Sequence, residues 1–303
     1  MKIVLVGPGA MGLLFGGYLS QQNDVTLVGR NADIMGRIEM EGVRIRETDG
    51  TEKIYHPNAT AEPDKLKEAD LVLLFVKAGD SKAALDSVRH LIGPQTFLMT
   101  LQNGAGHEKL LLQYAAQDRV IIGTTNQGSY KLDEISVCHS GLGDTSFGAV
   151  SGSGEVFAPV AESFQACGFP CQLAQKVKGM IWNKLMINAS SSVLSGILQM
   201  PQGYVAENEA AWNIAQKLIR EICAVATADG YPFYEKEQIE RIDKHLKNAP
   251  GGYTSIYADL KAGRRTEVSV INGAVVEAGN RLGIPVPTHE LILDIVRAME
   301  SRV

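Results

Sequence analysis

The sequence has few of the features that mark secreted, membrane-spanning or metal-binding proteins. Only four cysteines occur in 303 residues, and they form neither a CxxC pair nor a zinc spacing: Cys138, Cys167, Cys171 and Cys223. We therefore expect free thiols in a reducing compartment. No apolar run is long enough to span a bilayer. The six histidines show no ligand spacing, so no metal site is predicted.

The chain also lacks an excess of positive charge. Its formal net charge is −5 and its isoelectric point is near 5.7, which argues against nucleic-acid or anionic-membrane partners. The N-terminal MKIVLVGPGAMG superficially resembles a signal peptide, but glycine and proline follow too early for its apolar region. We therefore expect a β-strand from residue 2 and a cytoplasmic protein.

The first half of the chain alternates short apolar strands with amphipathic helices. Helices are predicted at 32–41, 80–91 and 108–116, and the predicted strands are Lys2–Val6, Asp24–Val28, Asp70–Lys77, Thr96–Leu101 and Val120–Thr124. This alternation is typical of a parallel, doubly wound sheet. Glycine-rich residues 135–150 are predicted to add a hairpin at the sheet edge.

The pattern becomes helical near residue 174 and stays so to the end of the sequence. The helical periods cover 176–200, 206–229, 235–247, 267–282 and 288–301. The sequence thus predicts an α/β fold with two domains. We expect an N-terminal domain with a Rossmann-type doubly wound parallel sheet (1–173), followed by an all-helical C-terminal domain (174–303).

A glycine loop follows the first predicted strand directly and opens the first helix. It fits G-x-G-x-x-G and consists of Gly7, Pro8, Gly9, Ala10, Met11 and Gly12. The first glycine permits the tight turn, the second lets the backbone approach a pyrophosphate, and the third lets helix and strand pack closely. The helix N-terminus then offers N–H groups to phosphates. A purely structural glycine turn is the alternative.

The second strand predicts which dinucleotide is bound. Enzymes that use NAD usually place an acidic residue at its end, on the ribose 2′-hydroxyl. Here Gly29 stands at that position and Arg30 follows. An arginine suits a 2′-phosphate, so NADPH is the predicted cofactor. A solvated surface arginine is the alternative.

Two further polar side chains follow predicted strands at the same sheet edge. Lys77 ends the DLVLLFVK strand, and Asn103 follows the next one in Gln102-Asn103-Gly104. Ligands of open α/β sheets bind at this edge, so both are candidate cofactor residues. A strand-end lysine and a turn-forming asparagine are the alternatives.

The first helix of the second half carries a polar row inside an apolar segment. In WNKLMINASSS, Lys184, Asn188 and Ser192 recur every four residues, so an α-helix would place a cation, an amide and a hydroxyl on one face. A polar stripe on a solvated helix is the alternative.

Taken together, these motifs resemble the ketopantoate reductase family (2-dehydropantoate 2-reductases) over the whole chain. The shared stretches are GPGAMG at 7–12, Arg30, VKA at 76–78, QNG at 102–104, WNKLMIN at 182–188, TSIYADLKAGRRTEVSVING at 254–273 and GIPVP at 283–287. The resemblance implies that Lys184 is the general acid and that Asn188 binds substrate. It implies cofactor contacts at residues 7–12, Arg30, Lys77, Asn103 and Ser129. It also places Glu267 beside the nicotinamide and the active site, and Ser255 on the substrate carboxylate.

Two positions depart from the pattern that the resemblance suggests. Ser192 and Gln202 stand where asparagines that hold the ends of the substrate are expected. The chemistry therefore carries over better than the choice of substrate.

The function predicted is NADPH-dependent reduction of 2-dehydropantoate to (R)-pantoate, toward pantothenate and coenzyme A, by a monomer or homodimer. A paralogous reductase of another 2-oxo acid and a non-catalytic NADPH-binding protein are the alternatives. Whether Glu267 orients Lys184 or the cofactor stays open.

Overall fold

The computed structural model describes residues 1–301, and its packing divides the chain into two units. The first unit comprises Met1–Gln102 and His107–Val177, and the second comprises Asn103–Gly106 and the chain from Lys178 onward. The chain therefore leaves the first unit at residue 103 and re-enters it at residue 107.

The first unit contains both strands and helices. Its strands are β1 Lys2–Val6, β2 Asp24–Val28, β3 Val43–Arg46, β4 Glu52–Tyr55, β5 Asn58–Thr60, β6 Leu71–Leu74, β7 Phe97–Thr100, β8 Val120–Thr125, β9 Gly128–Lys131, β10 Ser136–Gly141, β11 Thr145–Ala149 and β12 Cys171–Leu173. Its helices are α1 Ala10–Leu19, α2 Ala32–Glu41, α3 Ser81–Ser87, α4 Glu108–Leu111 and α5 Ala158–Ala166.

An eight-stranded sheet in the order β12-β11-β8-β7-β6-β1-β2-β5 forms the centre of this unit. The six adjacent strands β8-β7-β6-β1-β2-β5 are parallel to one another. Strand β11, on the other side of β8, runs antiparallel to β8. From β1 the chain goes to β2 on one side and later to β6 on the other. The strand order therefore reverses beside β1, which is where such sheets bind ligands. This arrangement confirms the predicted Rossmann-type sheet.

The hairpin predicted for residues 135–150 is wrong. Strand β10 belongs to a separate four-stranded sheet, β4-β3-β10-β9, whereas β11 pairs with β8 in the large sheet. The two strands separate because they need different surroundings. Residues 145–148 of β11 are all buried, which a place inside the large sheet provides, whereas β10 packs with β3 and β9 against α1.

Glycine is required where α1 crosses the end of β1. Gly7 has a positive φ of 107°, a conformation that other residues rarely adopt. A Cβ added to Gly12 would lie 1.9 Å from the carbonyl oxygen of Gly7. The helix can therefore sit this close to the strand only without a side chain at position 12.

The second unit is helical throughout the described residues, as predicted. Its helices are α6 Val177–Ile187, α7 Val193–Leu198, α8 Gln202–Glu207, α9 Glu209–Ala228, α10 Glu235–Asn248, α11 Ser255–Lys261, α12 Val268–Leu282 and α13 Pro287–Glu300. The long helix α9 packs against both α12 and α13. Among residues 1–301 no helix combines the length and apolar character that crossing a membrane requires.

The helix predicted over 176–200 forms one unbroken helical run over 177–198, but the run is not α-helical throughout. Between α6 and α7 the residues Asn188–Ser192 form a π-helical segment, hereafter the π segment. In such segments each backbone hydrogen bond spans one residue more than in an α-helix. They are rare and often occur at functional sites.

The close packing of α1 on β1 can be tested with two alanine variants. Gly12→Ala is expected to lower the free energy of unfolding by about 1–3 kcal/mol, because the added methyl overpacks the Gly7 carbonyl. The matched control is Gly36→Ala in α2, where an added Cβ meets nothing within 4 Å and alanine favours the helix. Urea unfolding followed by circular dichroism gives both values. Equal stability of the two variants would contradict the packing argument.

Candidate active site

The glycine loop leaves the N-terminus of α1 open to an anion. Gly9 is the N-cap residue, and no side chain caps the helix. The first turn of α1 contains no acidic residue, so nothing in that turn neutralises the helix dipole. A Cβ on Gly9 would meet nothing within 4 Å, which leaves the backbone approachable. A phosphate is the kind of group that this combination favours.

A side chain at position 29, at the end of β2, would crowd two neighbouring side chains. A Cβ on Gly29 would lie 2.8 Å from Cγ of Pro8 and 2.9 Å from Cε of Met35. The acidic residue that binds a ribose 2′-hydroxyl in NAD enzymes is therefore sterically opposed here. Arg30 follows with a side chain that is 92% exposed and lies 3.7 Å from the Asp80 carboxylate. An exposed pair of this kind holds the guanidinium only weakly.

Gln102 is a residue whose importance sequence reasoning did not identify. Its buried amide donates to the Val76 carbonyl at 2.5 Å and to Ser81 Oγ at 2.9 Å. These bonds hold the turn between β6 and α3, and this turn contains the exposed Lys77 as its N-cap residue. The signals in the sequence were its position directly after a buried strand and its place in the shared QNG stretch at 102–104.

Ser129 lies on β9, beside the glycine loop. Its hydroxyl donates to the carbonyl of Ala10 at 3.3 Å. The first unit therefore brings Ser129 together with residues 7–12, and it brings Arg30 together with the turn that follows Lys77.

Asn103 belongs to the second unit, next to the start of α12. In the same segment the Ala105 N–H donates to the Val270 carbonyl at 2.9 Å. Gly104 has a φ of 101°, and a Cβ there would lie 2.3 Å from the Val270 oxygen. Residues 103–106 thus pack on the helical turn that follows Glu267.

Lys184 and Glu267 interact electrostatically within the second unit. Lys184 is half-buried in the last turn of α6. Burial lowers the pKa of its ammonium to about 8, and the Glu267 carboxylate opposes this by raising it. A lysine with a lowered pKa that keeps a carboxylate partner is well matched to proton transfer near neutral pH.

Glu267 itself is placed by a contact at the end of α13. Glu300 Oε1 accepts hydrogen bonds from the backbone N–H of Thr266 at 2.7 Å and from its hydroxyl at 2.6 Å. The Thr266 hydroxyl also accepts from the Val268 N–H at 3.1 Å. The residue before Glu267 and the residue after it are therefore both fixed.

Side chains supply donors to carbonyl groups in and before the π segment. The Ser190 hydroxyl donates to the Met186 carbonyl, and the Ser191 hydroxyl donates to that of Ile187 at 3.3 Å. These bonds to the preceding turn are what serine offers inside helices. The serine run thus favours the π segment, which begins with the half-buried Asn188.

Ser192, at the other end of the π segment, is buried and already bonded. Its hydroxyl accepts from Gln202 Nε2 at 3.2 Å, and its carbonyl accepts from the Thr254 hydroxyl at 3.2 Å. Thr254 also caps α11, which begins with the exposed Ser255. The structure therefore brings Ser192, Gln202 and the residue before Ser255 together. The sequence pattern placed Ser192 on one α-helical face with Lys184 and Asn188. It did not indicate that residues 188–192 form a π-helix instead.

The two groups of residues support complementary chemistry. The first unit offers a helix N-terminus and exposed cations, which suit a phosphate-bearing nucleotide. The second unit offers an ammonium beside a carboxylate, an amide four residues along and hydroxyl groups, which suit a substrate with a carbonyl and other oxygens.

Two family models match the chain in consecutive segments. The family model described as ketopantoate reductase PanE/ApbA matches residues 3–152, and its C-terminal counterpart matches residues 176–300. The 2-dehydropantoate 2-reductase of Halobacterium salinarum is 30% identical, covering 98% of each chain. That of Pyrococcus horikoshii is 29% identical, covering 99% of this chain and 98% of its own.

Solved structures are similar over the full length of the chain. A PanE/ApbA family ketopantoate reductase from Ralstonia eutropha is 29% identical with a TM-score of 0.89, covering 100% of this chain and 99% of its own. The ternary complex of a D-mandelate dehydrogenase with NADH and anilino(oxo)acetate is 25% identical with a TM-score of 0.92, at the same coverage.

The fold and these matches define an oxidoreductase that uses a nicotinamide cofactor. The chain belongs to the ketopantoate reductase family.

Proposed function

We propose that the protein catalyses the NADPH-dependent reduction of 2-dehydropantoate to (R)-pantoate. The observation that carries this proposal is the ammonium of Lys184, with its pKa lowered to about 8 beside Glu267 and Asn188 four residues along the chain. The names of the relatives from Halobacterium and Pyrococcus support the choice of substrate. In this proposal residues 1–173 bind NADP, and residues 174–303 hold the substrate and the catalytic groups.

The residues of the first unit fit NADPH. Gly9 leaves the loop backbone approachable, Gly29 supplies no acidic side chain at the end of β2, and Arg30 offers an exposed guanidinium. We assign cofactor contacts to the loop 7–12, Arg30, Lys77, Asn103 and Ser129. When bound, the nicotinamide supplies the hydride.

Lys184 acts as the proton donor in this mechanism. Its ammonium donates a hydrogen bond to the substrate carbonyl oxygen and then transfers a proton as that oxygen gains charge. A pKa of about 8 brings the acid closer to neutral pH than the ordinary lysine value of about 10.4, so proton transfer is easier. The Glu267 carboxylate keeps the ammonium from losing its proton too early. This interaction favours an orienting role toward Lys184 over one toward the cofactor.

Asn188 and Ser255 bind the oxygens of the substrate in this proposal. The Asn188 amide is half-buried and lies one turn beyond Lys184, so it can donate to the hydroxyl or the carbonyl of the substrate. The Ser255 hydroxyl is exposed at the first position of α11, and we assign it to the carboxylate.

A reductase of a different 2-oxo acid is the second candidate. Ser192 and Gln202 bond to each other at 3.2 Å, which engages two groups that would otherwise be available to a substrate. The D-mandelate dehydrogenase complex with an aryl oxo acid shows that a similar fold accepts such ligands. A non-catalytic NADPH-binding protein is disfavoured, because it has no use for a proton donor such as Lys184.

A cytoplasmic location is also proposed. All four cysteines are free thiols in the structure, and free thiols are typical of reducing compartments.

The substrate assignment is tested by steady-state NADPH oxidation with a panel of 2-oxo acids. We expect kcat/KM for 2-dehydropantoate to exceed that for pyruvate and 2-oxoisovalerate by at least about tenfold. A substrate without the hydroxyl leaves polar groups of the site unpaired, which is how such sites discriminate. Strong preference for another 2-oxo acid would favour the second candidate.

The proton donor is tested by the pH dependence of the reduction. Because Lys184 must be protonated, kcat/KM should fall as the pH rises through about 8. Glu267→Gln removes a carboxylate that raises this pKa, so the alkaline limb should move to lower pH. Lys184→Ala should lower kcat by about 10²–10⁴-fold. The control Lys217→Ala, at an exposed position of α9, should retain the wild-type profile. An unchanged limb in Glu267→Gln would refute the coupling.

Cofactor choice is tested with Arg30→Ala. Loss of a charged hydrogen-bonding partner for the 2′-phosphate should raise the KM for NADPH by about tenfold to a hundredfold, with little change for NADH. Arg44→Ala, at an exposed position of β3, is the matched control and should change neither value. Equal losses with both cofactors would show that Arg30 does not recognise the 2′-phosphate.

A further inference from the structure

Asn272 on α12 connects the π segment to the buried His289. Asn272 is 0% exposed. Its Nδ2 lies 2.9 Å from the Ala189 carbonyl oxygen and 3.0 Å from Nδ1 of His289. Ala189 directly follows Asn188, so this contact reaches the backbone beside the proposed substrate ligand.

The hydrogen bonds in this group have one consistent direction. His289 Nε2 faces the Leu218 carbonyl at 3.2 Å, and a carbonyl only accepts, so Nε2 carries the proton. His289 Nδ1 then accepts from Asn272, and the second Nδ2 hydrogen goes to Ala189. Burial lowers the pKa of His289 to about 4, although the Leu218 carbonyl and the nearby Glu221 oppose this. The imidazole is therefore neutral at physiological pH, as this direction requires.

The side-chain oxygen of Asn272 loses its hydrogen bonding in this orientation of the amide. Its Oδ1 is buried and has no hydrogen-bond partner among residues 1–301. Such orphaned acceptors are rare in folded proteins and destabilise them. Turning the amide over would instead set Oδ1 against the Ala189 oxygen, which cannot donate. Both donors of Asn272 are thus required where they are.

The contact with Ala189 matters because the π segment lacks the regular α-helical ladder. In an α-helix a carbonyl accepts from the N–H four residues later, and the π geometry displaces that bond. We propose that Asn272 and His289 form a positioning relay that holds the π segment and thereby fixes Asn188 relative to Lys184 for substrate binding. This inference rests on the proposed function, because the role of Asn188 is part of it.

The relay predicts a specific kinetic change. Asn272→Ala should raise the KM for the 2-oxo acid by about tenfold or more while kcat falls less than about threefold, since Lys184 is untouched. The KM for NADPH and the alkaline limb of the pH profile should stay at the wild-type values. Asn213→Ala, at an exposed position of α9, is the matched control and should change none of them.

The second pair of variants tests the direction of the bonds. His289→Gln keeps one acceptor and one donor and should restore the substrate KM to within about threefold of wild type. His289→Leu keeps neither and should behave as Asn272→Ala does. If Asn272→Ala does not fold, His289→Leu provides the same test with Asn272 in place.

Hydrogen exchange measures the relay without relying on activity. Amides of residues 188–193 should exchange at least about tenfold faster in Asn272→Ala and His289→Leu, with α9 and α10 unchanged. Unchanged exchange in this segment, or an unchanged substrate KM, would overturn the relay. So would equal effects of His289→Gln and His289→Leu. A wild-type protein that reduces no 2-oxo acid would instead refute the proposed function. The role of the relay in substrate binding would then be refuted as well, even if hydrogen exchange in residues 188–193 changed as expected.

Discussion

The backbone carbonyl groups at the junction of α6 and α7 need donors, and this need organises the second unit. Helix α6 contains Lys184 and ends at Ile187, where the π segment begins. Serine hydroxyls within the segment bond to the preceding turn, and Thr254 and Asn272 reach it from α11 and α12. A local departure from α-helical geometry is thus stabilised by elements far apart in sequence. The hydroxyl groups of Ser190 and Ser191 in this apolar helix serve that departure.

The electrostatics of the two units are arranged in opposite ways. In the first unit an open helix N-terminus and exposed cations attract an anion, with little burial and therefore little desolvation. In the second unit a lysine is held in a place that disfavours its charge, and Glu267 partly compensates. Strong attraction suits binding of a phosphate-bearing cofactor, and a balanced lysine suits proton transfer.

Local signals in the sequence were sufficient for the parallel strands β1, β2, β6, β7 and β8 of the large sheet, whereas β3, β4, β5, β9 and β12 were not predicted. The bounds predicted for the first two strands and for the helix at 32–41 agree with β1, β2 and α2, because period, glycine loop and turn residues all lie within each segment. The glycine loop and Arg30 could be found in the same way.

Long-range contacts decided what the sequence could not show. The bond between Ser192 and Gln202 depends on how α8 returns toward the π segment. Strands β10 and β11 belong to different sheets because β10 pairs with β3 and β9, whereas β11 pairs with β8 and β12. The sequence places Asn272 only within the helix predicted over 267–282, and its contacts with Ala189 and His289 become visible in the structure.

The crowding around Gly29 also constrains how this enzyme could be redesigned. The usual route to exchange one dinucleotide for the other is to introduce an acidic residue at the end of the second strand. Here that residue would collide with Pro8 in the glycine loop and with Met35 in α2. A single replacement at position 29 would therefore also disturb the glycine loop at residues 7–12. Because Pro8 and Met35 would both have to yield, the order of the substitutions at positions 8, 29 and 35, and not only their identity, determines whether a functional intermediate exists.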